Sequence, residues 1–115
     1  MKPFVTEQLE HFFRAYDELQ QIQQKTLDEI IDDTILYRAL ERILGIMAIT
    51  TKRLKKLNPQ WDIPHYKLML RLKNQIIWDL KPLKRSYLSY ILGTVLPAVH
   101  SYFSQKTLNP QKNEN

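Results

Sequence analysis

Leu88, Ile91, Leu92, Val95, Leu96, Val99, Tyr102 and Phe103 recur three or four positions apart, a spacing that closes into a single apolar face only on an α-helix. Three further stripes follow the same rule. Phe12, Phe13, Tyr16, Leu19 and Ile22 make the first, and Leu36, Ala39, Leu40, Ile43, Leu44 and Met47 the second. Met69, Leu72, Ile76 and Leu80, flanked by Leu68 and Ile77, make the third. Each stripe must be buried against another, and four amphipathic helices with short connections predict an all-α, antiparallel up-down four-helix bundle. No segment shows strand alternation, and two glycines in 115 residues suit helices better than a turn-rich sheet.

Punctuation residues place the boundaries. Helix one is expected over Thr6–Lys25, with Thr6 as its N-cap. The acidic segment Thr26–Asp33 either extends it or packs as a short turn, and Asp32 or Asp33 can cap a second helix running to Leu54. Beyond Gly45 this helix becomes apolar nearly all round, through Ile46, Met47, Ala48 and Ile49, so it is expected to be buried in the bundle or covered by a second subunit. Asn58-Pro59 and Ile63-Pro64 make residues 57–64 a loop, since a residue before proline avoids the α region. Helix three then runs from Pro64 or His65 to Leu80, and Lys81-Pro82 breaks the chain. Helix four spans Lys84–Phe103, with Pro97 inside it predicting a kink or an early end. Residues 1–103 thus read as one domain, and the polar stretch 104–115 as a disordered tail.

Charge is spread unevenly. Lys52 to Arg85 holds ten Lys or Arg against Asp62 and Asp79, so this segment is +8 while the whole chain is +5. Such a stretch suits RNA or an acidic protein partner, and equally an ordinary solvated helix face. No apolar run approaches the roughly eighteen residues of a membrane span. Nothing near the N-terminus resembles a signal peptide and there is no cysteine, which fits a cytoplasmic protein without disulfides or thiolate metal sites. His11, His65 and His100 are too scattered for a metal-ligand pattern, no glycine-rich phosphate loop exists, and no cofactor is expected. Trp61 and Trp78 read as core or interface residues in preference to base-stacking platforms.

Two segments resemble one family. Tyr37-Arg38-Ala39-Leu40-Glu41-Arg42-Ile43-Leu44, followed by Ile46-Met47-Ala48 and Thr51-Lys52-Arg53-Leu54, is similar to the second-helix signature of HepT-like proteins of the HEPN superfamily, which reads approximately RAxERxLEIIGEAAKRL. Ile63-Pro64 and then Arg71-Leu72-Lys73-Asn74-Gln75-Ile76-Ile77-Trp78-Asp79-Leu80 resembles that family's IPW…RNxxxHxY segment, and Leu96-Pro97 matches a late Leu-Pro. The resemblance covers about residues 30–100 and implies a HEPN-like helical bundle that forms a homodimer. It also implies RNA cleavage by paired Arg-x4-His motifs at the dimer interface. The partner it implies is a minimal nucleotidyltransferase antitoxin that modifies the motif's tyrosine.

Position by position the motif is degenerate. The family's arginine falls on Lys73, its asparagine on Asn74, its histidine on Trp78 and its tyrosine on Leu80. Its acid on the second helix falls on Ile49, and Arg71 lies seven residues before Trp78, too far for the usual pairing. Indole does not titrate, lysine lacks the forked donors that grip a phosphate, and leucine has no hydroxyl to accept a nucleotide. The expectation is therefore a non-catalytic HepT-like binding component of a toxin–antitoxin type pair, with Ile46, Ile49, Lys73, Trp78 and Leu80 at an apolar interface. An active HEPN ribonuclease and a basic helical nucleic-acid binder are the alternatives.

Overall fold

The structure, a computed structural model, describes residues 2–78 and 83–108, apart from the side chains of Ile77 and Trp78. The described residues are all-helical, with no strand among them. Helix α1 spans Pro3–Ile22, α2 Leu27–Asp32, α3 Thr34–Leu57, α4 Tyr66–Trp78, α5 Arg85–Tyr90 and α6 Leu96–Leu108, with a π segment, Ile91–Val95, joining the last two into one continuous rod.

Local chemistry explains where these elements begin and end, and it corrects several expected boundaries. α1 begins at Pro3 and not after Thr6, because proline's fixed φ suits the first helical position. It stops at Ile22, short of Lys25, and the following segment forms a separate helix. There Thr26 accepts from the Glu29 backbone N–H, and the Glu29 carboxylate accepts from the Thr26 N–H, a reciprocal capping box. Asp33 caps α3 by accepting from the N–H groups of Ile35 and Leu36. α3 runs to Leu57. α4 starts only at Tyr66, because His65 adopts a left-handed φ of 57° outside the helix.

Pro97 neither ends its helix nor leaves it regular. In an α-helix the proline ring would press on the Gly93 carbonyl. Here the Leu96 N–H reaches back to the Ile91 carbonyl, one residue beyond the α-helical partner, and the turn ahead of the proline widens. The helix then continues to Leu108, so Ser104–Leu108 are helical and not tail. Residues 109–115 lie outside the described residues.

Antiparallel pairing organises the fold around α3. On one side Glu18 and Ile22 of α1 flank a groove with Ile43 and Leu36 of α3. On the other, Ile76 of α4 packs beside Gly45, while Lys55 lies over the ring of Tyr66. α1 also pairs antiparallel with α6: Phe12 meets Phe103, and Tyr16 stacks on His100.

The core follows the predicted stripes. Leu9, Phe12 and Leu19 of α1, Leu40, Leu44 and Met47 of α3, Met69 and Leu72 of α4, and Leu88, Ile91, Val99 and Phe103 of the last rod are all buried. In the apolar stretch after Gly45, Met47 and Ala48 are buried, while Ile46 and Ile49 are only half-buried. Thr50 and Thr51 continue the buried face, and their hydroxyls donate to the Met47 carbonyl, which removes the penalty of burying them. Trp61 turns the 58–65 loop into part of the core. It is 2% exposed and packs against Tyr102 and Phe103.

Candidate functional site

The hairpin of α3 and α4 brings together cations that are far apart in sequence. α3 ends with Lys52, Arg53, Lys55 and Lys56, and α4 carries Lys67, Arg71 and Lys73. The antiparallel pairing sets Lys52 and Arg53 of α3 beside Lys73 of α4, and Lys55 of α3 around one cavity with Lys67 and Arg71 of α4. Lys52 lies within hydrogen-bonding reach of Lys73, and Arg53 is near enough to act on it through its charge. The Lys52 contact, then its charge, then partial desolvation and Arg53 hold the Lys73 ammonium below the usual lysine range. Among the described residues, no carboxylate forms an ion pair with any of these seven cations.

Two other arginines are paired with carboxylates. Arg38 bonds Glu41 one turn away, and Arg85 bonds Asp28 at 2.7 Å, tying α5 to α2. That contact lowers the Asp28 carboxyl, first through the hydrogen bond from Arg85 and then through its charge. Tyr37 ties the chain after α4 back to α3, its hydroxyl accepting from the Leu83 N–H at 2.9 Å.

The sequence-derived site residues divide into two groups. Lys73 is half-buried beside Lys52, while Asn74 and Arg71 are exposed on α4. Ile46 packs against the core from α3, and Ile49 lies one turn further along. Trp78 closes α4, but its side chain is not described, and Leu80 lies outside the described residues. The structure therefore brings Lys73 to cations on α3. His65 stands eight residues before Lys73, at the opposite end of α4, and its ring meets Tyr90 edge to face. Among the described residues, no three His, Asp or Glu gather as metal ligands, and no helix is long and apolar enough to cross a membrane.

Reading the sequence by composition missed the contact between Lys52 and Lys73. The signal was present: folding the chain back on itself about the 58–63 loop sets Lys55 opposite Tyr66 and Gly45 opposite Ile76. The same fold-back brings Lys52 to within about one helical turn of the position facing Lys73. Also missed was a cavity of about 560 Å³ between the end of α3, the 62–65 loop and the start of α4.

No family model, curated protein or solved structure matches this chain.

Proposed function

We propose that this chain is a catalytically degenerate HepT-like protein with a HEPN-type four-helix arrangement, acting by binding and not by cleaving RNA. In this reading it is the interaction component of a pair with a minimal nucleotidyltransferase. The observation that carries the binding role is the meeting of α3 and α4, where Lys52, Arg53 and Lys73 lie together with no carboxylate partner among the described residues. Unpaired like charges held together destabilise a fold, so such a face is best accounted for by an acidic surface that covers it. The absence of catalysis rests on the sequence: at Lys73 and Trp78 the motif offers neither an imidazole nor a guanidinium. Half-buried Ile46 and Ile49, beside that face, supply apolar surface for a homodimer.

Two measurements test this reading. The purified protein should elute as a dimer by size exclusion with light scattering and leave RNA intact in a cleavage assay. It should also co-elute with a minimal nucleotidyltransferase encoded beside it, and Lys52→Glu with Lys73→Glu should abolish that co-elution. Cleavage of RNA by the unmodified protein defeats the non-catalytic reading, and a monomer defeats the family geometry. The same cations favour a second reading, a basic nucleic-acid binder. It predicts RNA binding that weakens steeply with salt, with a slope that falls by about one unit for each phosphate-contacting lysine removed.

A further inference from the structure

The cavity at the start of α4 includes Arg71 but neither Lys73 nor Asn74, and it has a chemistry of its own. Lys55, Lys67, Arg71 and His65 line it together with Asp62, Ile63, Tyr66 and Leu68. Lys55, Lys67 and Arg71 outweigh the Asp62 carboxylate by two positive charges, and Asp62 forms no ion pair with any of them.

The wall is built and not merely a patch of loose lysines. Two donors of the Lys55 ammonium are taken by the Pro59 and Trp61 carbonyls, so Lys55 is fixed to the loop. An ammonium has three donors, which leaves one for a ligand. Trp61 anchors that loop in the core. His65 holds a left-handed backbone that a non-glycine residue adopts only when its surroundings impose it, and its ring is set by Tyr90. Arg71 supplies a forked donor pair suited to two oxygens of one tetrahedral anion.

We propose that this cavity binds a phosphate monoester. A dianionic phosphate matches the two-charge excess, whereas a single carboxylate would leave one cation unneutralised. The cavity is larger than a phosphate group, and half-buried His65, Tyr66 and Leu68 offer ring and apolar surface to whatever the phosphate is attached to. Exposed Asp62, also in the lining, would serve as an acceptor for a hydroxyl of that group. The proposal is independent of the family reading, because Lys52 and Lys73, on which the docking face turns, do not line the cavity.

The test is an NMR titration of the isotopically labelled full chain with phenyl phosphate, and with phenol as the uncharged control. Saturable amide shifts confined to residues 55 and 61–71 are expected with phenyl phosphate and none with phenol. Arg71→Gln and Lys67→Gln should each weaken binding at least about tenfold, as expected for loss of a charge-assisted contact. Arg14→Gln, on the exposed side of α1 and outside the cavity, should leave binding unchanged. A ribo-oligonucleotide with and without a 5′-phosphate identifies the source. Binding that requires the 5′-phosphate and exceeds that of phenyl phosphate supports the site and points to a nucleic-acid end. Equal binding of phenyl phosphate and the phosphorylated oligonucleotide supports it and points to a small phosphorylated molecule. The proposal is overturned if phenyl phosphate gives no saturable shifts by about 10 mM. Equal responses to phenol, indifference to Arg71→Gln, or equal binding of both oligonucleotides overturn it as well.

Discussion

Between α1 and α6, Phe12 meets Phe103 edge to face with ring centroids 4.8 Å apart, and His100 lies flat on Tyr16 at 3.9 Å. Between α3 and α4, the side chains that meet at the rim are Lys52 and Lys73, two ammonium groups with no carboxylate between them among the described residues. The first contact is complementary in shape and polarity and needs nothing further. The second raises the free energy of the folded chain. A fold tolerates such a place when the rest of its core supplies the stability and the charges serve another purpose. The aromatic seam thus contributes to holding this protein together, and the Lys52–Lys73 contact does not.

Substitutions can sharpen or break that contrast. The largest effect is expected at the seam. Phe103→Ala removes a fully buried ring that touches Phe12, Trp61 and Tyr102, and it should destabilise by about 3–5 kcal/mol in denaturant unfolding. A loss below about 1 kcal/mol would mean that the seam is not the core of the fold. On the other side, Gly45→Ala should stabilise by about 0.5–1 kcal/mol, because its new methyl would meet Ile76 at an ordinary 3.8 Å while the unfolded chain loses freedom. Destabilisation there would show that α3 and α4 pack more tightly than the structure has them.

A smaller effect separates the two regions by pH. Burial pushes the His100 imidazole below its ordinary value of 6.5, and the nearby Asp17 charge only partly opposes this. The unfolded chain therefore takes up the proton first. The stability due to neutral His100 is complete above 6.5 and is lost as the pH falls through and below that value. Tm should therefore fall between pH 7 and pH 5, and His100→Gln should flatten that slope. The smallest effect belongs to Lys73→Gln. It should leave Tm at high salt unchanged and raise it slightly at low salt, since the repulsion from Lys52 and Arg53 is screened by ions. A Tm that falls with added salt in the unmodified protein would contradict the repulsion.

Much of this architecture was legible before the coordinates. The four apolar stripes gave the helices, because a period of three and four has no other solution. A cap at Asp32 or Asp33 is readable from the position of these residues before an apolar run, and the structure selects Asp33. The Thr26–Asp33 segment was not resolved from sequence alone. Its Thr-x-x-Glu pattern is a capping box, and weight on that pattern would have separated α2 from α1. Pro97 signalled a disturbance, but a π turn and a kink satisfy the same steric conflict, and local sequence does not choose between them. The apolar run at Ile46–Ile49 reads as buried in the bundle or covered by a second subunit, and within the chain burial falls mainly on Met47 and Ala48.

The candidate sites were less legible. The motif positions Lys73 and Asn74 stood out by spacing, but the neighbours that determine what Lys73 can do come from another helix. The cavity around Arg71 and His65 depends on three separate segments meeting.

Sequence by itself determined the helical character of this protein, the residues that face inward, and a surplus of positive charge in its middle third, because periodicity and composition act locally along the chain. Tertiary structure alone decided that Lys52 would confront Lys73, that Trp61 would pin a loop beneath Phe103, and that Lys55, Lys67 and Arg71 would enclose one space. Those are consequences of how two helices fold back on each other, and through-space electrostatics depends on that distance and not on separation along the backbone.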